Sequence, residues 1–435
     1  MNKYDVIVIG AGVGLTIVEA ALANNMTCAL IEEGKLGGTC LTRGCIPSKV
    51  LVAPADMIRS AEHASSYGVD CRIAGFDWKV IGQRMWSQIN NSIDIERSLN
   101  DSEGVTLYRG TAAFCADKCI KVAYPDGSYS PELKADTIVL CPGARTFVPP
   151  INGLEETGYI TSETFFGKDF PEELPESIAI IGAGAIGAEF AHVFSAFGAK
   201  VTLIEKKERI LPLEEPVVSE FTKAAMQRYG IEVITSADIS ECSLTQKGMK
   251  MITGSRSSTG TDFRVICDEI MVASGIRSNS DSLGLDKTSV KTDARGWIVT
   301  DEYLRTTEAG IWALGDINGI YQFRHKANYE AEIAVNNIFN PYGPKLKVNY
   351  FSVPWAVFTY PQVAHVGMTQ EQAKIGREGL YIGIKHYSSI AKGFADGYEY
   401  GTPDDGFVKL IADKDLNILG RSEEHTSELQ SRITI

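Results

Sequence analysis

Two cysteines five positions apart, Cys40 and Cys45, stand in the stretch Gly37-Gly38-Thr39-Cys40-Leu41-Thr42-Arg43-Gly44-Cys45-Ile46-Pro47-Ser48-Lys49. The chemistry open to them is thiol–disulfide exchange. A dithiol that opens and closes needs two sulfurs within disulfide reach, and one turn of chain between them can supply that. If the chain is helical from Ile46 onward, both sulfurs lie near a helix N-terminus. The partial positive charge there lowers thiol pKa and favours the reactive thiolate. The alternative is a pair of buried structural cysteines, a common state for thiols. A zinc knuckle is disfavoured, since zinc pairs are more closely spaced and need two further ligands.

The elements around this stretch are those that hold dinucleotides. Tyr4 to Ile9 is a short apolar run, as expected of a buried parallel strand. It enters Gly10-Ala11-Gly12-Val13-Gly14-Leu15, a helical segment from Thr16 to Asn24, and a second strand from Thr27 to Ile31 ending at Glu32. Strand, glycine turn, helix, strand and acid make a dinucleotide-binding unit: helix-start N–H groups face a pyrophosphate and the acid accepts from a ribose hydroxyl. Leu15 holds the third glycine position, with Gly14 one place early, so close helix–strand packing is not expected there. A second unit follows. Ser177 to Ile181 is a strand, Gly182-Ala183-Gly184-Ala185-Ile186-Gly187 has all three glycines, Glu189 to Phe197 continues as a helix, and Lys200 to Ile204 ends at Glu205. An acid at 205 favours NADH over NADPH, although Lys206, Lys207 and Arg209 follow it.

Between and beyond these units, helices are expected at Val50 to Tyr67 and Trp78 to Asn100. Strands are expected at Val105 to Phe114, Cys119 to Tyr124, Thr137 to Leu140 and Ile311 to Leu314, and paired strands within Phe407 to Gly420. The fold class is α/β, with two Rossmann-like dinucleotide-binding domains.

A chain of 435 residues with ordinary globular composition supports several domains. The net charge of −13, with no basic patch, argues against a nucleic-acid partner. Nine cysteines without a secretory signal point to a reducing, cytoplasmic setting, and no uncharged apolar run is long enough to predict a membrane span.

Taken together, these motifs resemble the pyridine nucleotide–disulfide oxidoreductases whose redox cysteines lie in the FAD domain. The likeness runs over residues 1 to 420 and is nearest to the dihydrolipoyl dehydrogenase branch; glutathione, mycothione and mercuric reductases share the plan. It implies two Rossmann-like FAD- and NAD(P)-binding domains plus an incomplete α+β interface domain: 1–150 and 275–346 for the FAD and central domain, 151–274 for the NAD domain, 347–420 for part of a dimerisation domain, and 421–435 for a non-native tail. It implies FAD and NAD as cofactors and no metal. It implies a small disulfide or dithiol substrate, including a lipoyl domain as a candidate, and a homodimer. Electrons would pass from NADH to FAD to Cys45 and Cys40, with Cys45 nearer the flavin and Cys40 exchanging with substrate. Lys49 would lie by the flavin and pair with Glu189. Further FAD contacts implied are Gly10, Gly12, Gly14, Glu32, Gly38, Thr39, Ala112, Gly143, Asp316, His325 and Ala327. Those for NAD are Gly182, Gly184, Ile186, Gly187, Glu205 and Gly275.

Residues 421–435 read differently. Arg421-Ser422-Glu423-Glu424-His425-Thr426-Ser427-Glu428-Leu429-Gln430-Ser431 resembles the translation of a DNA-sequencing adapter, and is expected to continue neither a sheet nor a helix. The family's acid–base histidine stands in a His-Pro motif, and no His-Pro occurs in this sequence. On that reading the competing function is a flavin- and NAD-binding fragment with at most diaphorase activity; the resemblance also leaves open a reductase of another low-molecular-weight disulfide or of mercuric ion.

Overall fold

The short apolar runs become the strands of two parallel sheets, each in its own compact unit. A computed structural model describes residues 1–402 and 405–424. The first unit joins Met1–Pro47, Arg84–Thr146 and Ile276–Tyr350; the second joins Ser48–Gln83, Phe147–Gly275 and the described residues from Phe351 to Glu424.

In the first unit the parallel sheet runs Ile311–Ala313, Thr137–Leu140, Val6–Ile9, Cys28–Glu32, Val105–Arg109. Residues alternate between its two faces. Val6 and Val8 pack with the helices Gly14–Ala23 and Arg324–Phe339, whereas Ile7 and Ile9 pack with an antiparallel sheet that includes Thr111–Ala116 and Cys119–Ala123. Burial on both faces explains why these strands read as continuous apolar runs. The helix start is set by Gly14. A Cβ there would lie 2.7 Å from both Val8 Cγ1 and Cys141 Sγ. The close packing not expected at Leu15 is therefore made one residue earlier.

The second unit repeats the plan with the parallel order Ile160–Thr161, Glu269–Val272, Ser177–Ile181, Lys200–Ile204, Glu232–Ile234. A three-stranded antiparallel sheet, Ala237–Leu244, Lys250–Arg256 and Asp262–Cys267, shares its core. The helix Ala185–Ala196 is anchored by Phe190 and Phe194, which meet Phe165 at ring-centre distances of 5.2 and 5.7 Å in edge-to-face contacts. Such pairs contribute about 0.5–1.5 kcal/mol each beyond area burial. The same unit carries an antiparallel sheet ordered Pro354–Val357, Val363–Gly367, Ile418–Glu424, Phe407–Ala412, Tyr381–His386.

Three expectations are corrected. Trp78 to Asn100 is two helices, Trp78–Ile89 and Asn91–Asn100, broken at Asn90, where adjacent asparagines compete with the helical backbone. Val105 to Phe114 is two strands, because Val105–Arg109 pairs with Cys28–Glu32 while Thr111–Ala116 pairs with Cys119–Ala123. The crossing is at Gly110, where a Cβ would sit 2.3 Å from the Ala123 carbonyl oxygen. Third, Arg421–Glu424 do continue a sheet: they complete Ile418–Glu424, the central strand of the C-terminal sheet, paired on both sides. Ser422 and Glu423 are buried, and the Ser422 hydroxyl lies 2.8 Å from Nδ1 of His365, itself stacked on Trp355. Residues 425–435, with His425 and Glu428, lie outside the described residues.

Gly14→Val forces a side chain into Val8 and Cys141. It is expected to lower the unfolding free energy by about 1–3 kcal/mol, read as a lower urea midpoint at unchanged slope.

Candidate functional site

A cavity of about 500 Å³ in the first unit lies where the glycine turn, the cysteine stretch and the Gly315-Asp316 corner converge. The turn is shaped by close backbone approach. Gly10 has φ +102°, and a Cβ there would fall 2.1 Å from the Cys141 carbonyl oxygen. Gly38, at φ +69°, lies so near Gly12 that its Cβ would be 2.5 Å from Gly12 Cα. The Gly37 N–H donates to the Ala11 carbonyl at 2.8 Å, and Arg324 Nη1 donates to the Gly37 carbonyl at 3.4 Å. The cysteine stretch is thereby fastened to the glycine turn.

Cys40 lies in the short helix Gly38–Thr42 and Cys45 begins the helix Cys45–His63, so the expected helix start moves from Ile46 to Cys45 itself. Gly44 closes the turn between them: a Cβ there would lie 2.9 Å from the Thr39 carbonyl oxygen. Both cysteines line the cavity. Cys28, Cys141, Cys242 and Cys267 are buried, and burial pushes their thiols up, Cys28 to about 12 and Cys242 and Cys267 to about 11. That removes them as thiolates at neutral pH.

Opposite the turn, Glu32 is held by backbone: Ala11 N–H donates to Oε2 and Gly34 N–H to Oε1, each at 2.7 Å. Each oxygen keeps acceptor capacity, so the carboxylate can still receive two hydroxyls of a diol. The second unit builds the same clamp at Glu205, which accepts from Ala183 N–H and Lys207 N–H, each at 2.8 Å. Its turn is equally tight. A Cβ at Gly182 would lie 2.4 Å from the Ala273 carbonyl oxygen, and one at Gly187 would lie 1.9 Å from the Gly182 carbonyl oxygen. Gly184 begins the helix with nothing near its Cβ position, leaving open space before the helix N-terminus. Gly275, at φ +115°, is likewise open, and Ile186 is exposed.

Lys49 and Glu189 meet in the second unit, with Nζ 3.1 Å from Oε2. Lys49 also sits over the Phe358 ring at 3.5 Å, and Phe358 N–H donates to Glu189 Oε1 at 3.1 Å. This half-buried arrangement fixes where the ammonium points.

Residues 4–331 match the family described as pyridine nucleotide-disulphide oxidoreductase, and residues 353–422 match its dimerisation domain. The dihydrolipoyl dehydrogenase of Chlamydia muridarum is 33% identical across 100% of this chain and 90% of its own length. The mycothione reductase of Mycobacterium tuberculosis is 31% identical over 95% of this chain and 87% of its own. The structure of the Cu(II) complex of HOCl-induced flavoprotein disulfide reductase RclA from Escherichia coli superposes with a TM-score of 0.83 at 27% identity, covering 99% of this chain and 91% of that one.

The chain belongs to the pyridine nucleotide-disulphide oxidoreductases. It is an FAD-dependent enzyme that exchanges electrons between a pyridine nucleotide and a disulfide. The family dimerisation domain includes Arg421 and Ser422, in keeping with their place in the central strand. No helix among the described residues is long and apolar enough to cross a membrane.

The cavity fits a dinucleotide of this family in its shape and donor set: open backbone at the helix start, a carboxylate with spare lone pairs, and Asp316 at the far wall. Gly10, Gly12, Glu32, Gly38, Thr39, Ala112, Gly143, Asp316 and Ala327 all line it. Gly14 packs beneath it, and His325 stacks on Phe323 outside the lining. Sequence reading missed what holds Asp316. Lys326 Nζ lies 3.0 Å from Glu330 Oε1 and donates to the Asn318 side chain at 2.7 Å and to the Gly315 carbonyl at 3.1 Å. Glu330 accepts from Gly315 N–H, from the Asn318 amide and from the Tyr350 hydroxyl. The only sequence signal was a Lys–Glu pair at i, i+4 on the capping helix, which is ordinary on helix surfaces.

Burial pushes the Asp316 carboxyl up to about 6, with Lys326 opposing and Glu330 adding to the rise. A raised native pKa means the folded protein holds this proton after the unfolded chain has lost it, so stability falls as pH rises toward 6 and then levels. Without FAD, Asp316→Asn should abolish that slope and be more stable than wild type at pH 8 by about 3 kcal/mol, measured by urea unfolding at pH 4 and 8.

Proposed function

We propose that Cys45 and Cys40 are the relay between FAD and a small disulfide. The observation that carries this reading is that both cysteines line the cavity that also presents Glu32 and Asp316. When bound, FAD accepts hydride from NADH and passes the electron pair to sulfur. Overall, NADH, a proton and a disulfide become NAD and a dithiol. Within the chain, Cys40 as thiolate attacks one substrate sulfur and expels a thiolate that takes up a proton. Cys45 then attacks Cys40 Sγ, releasing the second thiol and leaving Cys40–Cys45 oxidised. Run in reverse, the same steps oxidise a dithiol. The curated relatives that name a dihydrolipoyl group favour lipoamide, free or on a lipoyl domain, as the substrate.

On this reading the first glycine turn, Gly10 and Gly12 with Gly14 beneath, holds the FAD pyrophosphate and Glu32 its ribose. Gly38, Thr39, Ala112, Gly143, Asp316 and Ala327 contact the rest, with His325 at the adjoining helix start. Lys49, oriented by Glu189, serves the flavin ring. Gly182, Gly184, Ile186, Gly187 and Gly275 hold NAD, and the Glu205 carboxylate selects it over NADP by charge. Residues 1–150 and 275–346 make the FAD domain, 151–274 the NAD domain and 347–424 the dimerisation domain, the last extended past the expected 420 by the strand Ile418–Glu424. A homodimer is favoured by exposed Tyr381, Ile382, Ile384, Leu410 and Ile418 on the C-terminal sheet. A cytoplasmic setting accords with reduced cysteines.

Anaerobic titration with NADH, followed by thiol counting in denaturant, tests the relay. The oxidised holoenzyme should gain two thiols per chain and take up four electrons; Cys40→Ser with Cys45→Ser should gain none and take up two. Two-electron uptake without new thiols in the wild type sinks the relay and leaves an NADH-oxidising flavoprotein. For the nucleotide, Glu205→Ser should raise the NADPH to NADH ratio of kcat/KM by roughly tenfold.

A further inference from the structure

A second pair of thiols lies in the first unit, outside the cavity lining. Cys115 is near the end of the strand Thr111–Ala116 and Cys119 opens the strand Cys119–Ala123. Lys118 turns the chain at φ +49°, and a register shift between Phe114 and Ala116 leaves Cys115 without a cross-strand partner residue. The bulge and the turn together bring the two sulfurs to 3.0 Å. Cys115 Sγ also reaches the Cys119 carbonyl at 3.3 Å.

That separation discriminates between two uses of a thiol pair. A tetrahedral zinc with ~2.3 Å bonds holds its sulfurs about 3.7 Å apart. A disulfide holds them ~2.05 Å apart. The pair is already closer than the metal site requires, and side-chain rotation of about 1 Å closes it. The two cysteines differ in a way that suits sequential chemistry. Cys115 is partly exposed, whereas Cys119 is 1% exposed and burial pushes its thiol up to about 12. A Glu132 carboxylate oxygen lies within 4.8 Å of both sulfurs, and Lys121 pairs with it at 3.6 Å.

We propose that Cys115 and Cys119 are an oxidisable dithiol that closes to an intrachain disulfide by exchange with a low-molecular-weight disulfide. Cys115 loses its proton and attacks one sulfur of the small disulfide. The S–S bond breaks, and the expelled thiolate takes up that proton. Cys119 gives its proton to Glu132 and attacks Cys115 Sγ. The second small thiolate leaves and is protonated from Glu132. Two protein thiols are oxidised by two electrons, and one small disulfide is reduced to two thiols. The co-reactant belongs to the class this family already handles, but the step uses neither Cys40 nor Cys45 and stands apart from the relay. The strand bearing Cys115 starts at the cavity, with Ala112 in its wall, and Phe114 N–H is bonded to the Leu283 carbonyl there at 2.8 Å.

Peptide mapping tests this directly, because cleavage after Arg109, Lys118 and Lys121 separates the two cysteines. Native holoenzyme is incubated with hydroxyethyl disulfide, quenched in acid, alkylated and digested. The expected product joins peptide Gly110–Lys118 to peptide Cys119–Lys121. Cys119→Ser should lose the joined product and retain a hydroxyethylthio adduct on Cys115. Cys115→Ser should lose both. Glu132→Gln should slow closure by roughly tenfold or more. An adduct on wild-type Cys115 with no joined peptide overturns the proposal, as does full alkylation of both thiols after exposure to the disulfide. One zinc per chain that shields both thiols until a chelator is added would also overturn it, in favour of a metal site.

Discussion

The structure depends first on a contact between two backbones that carry no side chains. Gly12 and Gly38 lie so close that a methyl group on Gly38 would overlap Gly12 Cα, and the Gly37 N–H bond to Ala11 fixes their relative position. Gly37 and Gly38 take φ of +103° and +69°, which other residues adopt only at a cost. This pair converts two separate stretches of sequence into one surface. The phosphate-type turn and the dithiol stretch become neighbours through backbone geometry alone, so neither spends a side chain on holding the other. The cysteine side chains are left for chemistry.

The second constraint is a clamp used twice. In each unit an acid ends the second strand of the glycine-turn motif and accepts one N–H from the turn and one from the residue two positions further on. The clamp makes the acid a structural brace as well as a ligand candidate. It ties strand end to turn and prevents the carboxylate from rotating into solvent. A carboxylate so placed presents its remaining lone pairs in a fixed direction, a form of preorganisation that lowers the entropic cost of binding a diol.

Much of this was legible in the chain itself, and what was not has a common cause. The strands Thr137–Leu140, Ser177–Ile181 and Lys200–Ile204 fall where continuous β-branched and apolar runs end in turn residues. The acids at 32 and 205 and the cysteine stretch were visible because their spacing is local. The misses came where pairing with distant chain overrides a local pattern. Gly110 looked like the middle of one strand because nothing nearby in sequence tells that the chain changes sheets there. Arg421–Glu424 looked foreign, yet two neighbouring strands offer them hydrogen bonds on both edges. Glu330 and Lys326 stand four residues apart on a helix, a spacing common to surface ion pairs, and lie fully buried under the Asp316 corner. Cys115 and Cys119 drew no notice, because their proximity depends on a bulge that only the register reveals.

The order of strands in the first sheet has a consequence for how the chain is made. Ile311 pairs with Ile138, and the whole second parallel sheet is encoded between them. At a ribosome adding roughly 5–20 residues per second, the edge of Thr137–Leu140 waits on the order of ten seconds for its neighbour. During that interval the Gly315-Asp316 corner does not yet exist, so the cavity proposed to hold FAD is open on that side in the nascent chain. The second sheet, whose core lies almost wholly within residues 147–275, can form in the meantime. The cavity proposed to hold FAD is therefore completed late in biosynthesis, once Ile311–Ala313 and the corner after it have been made.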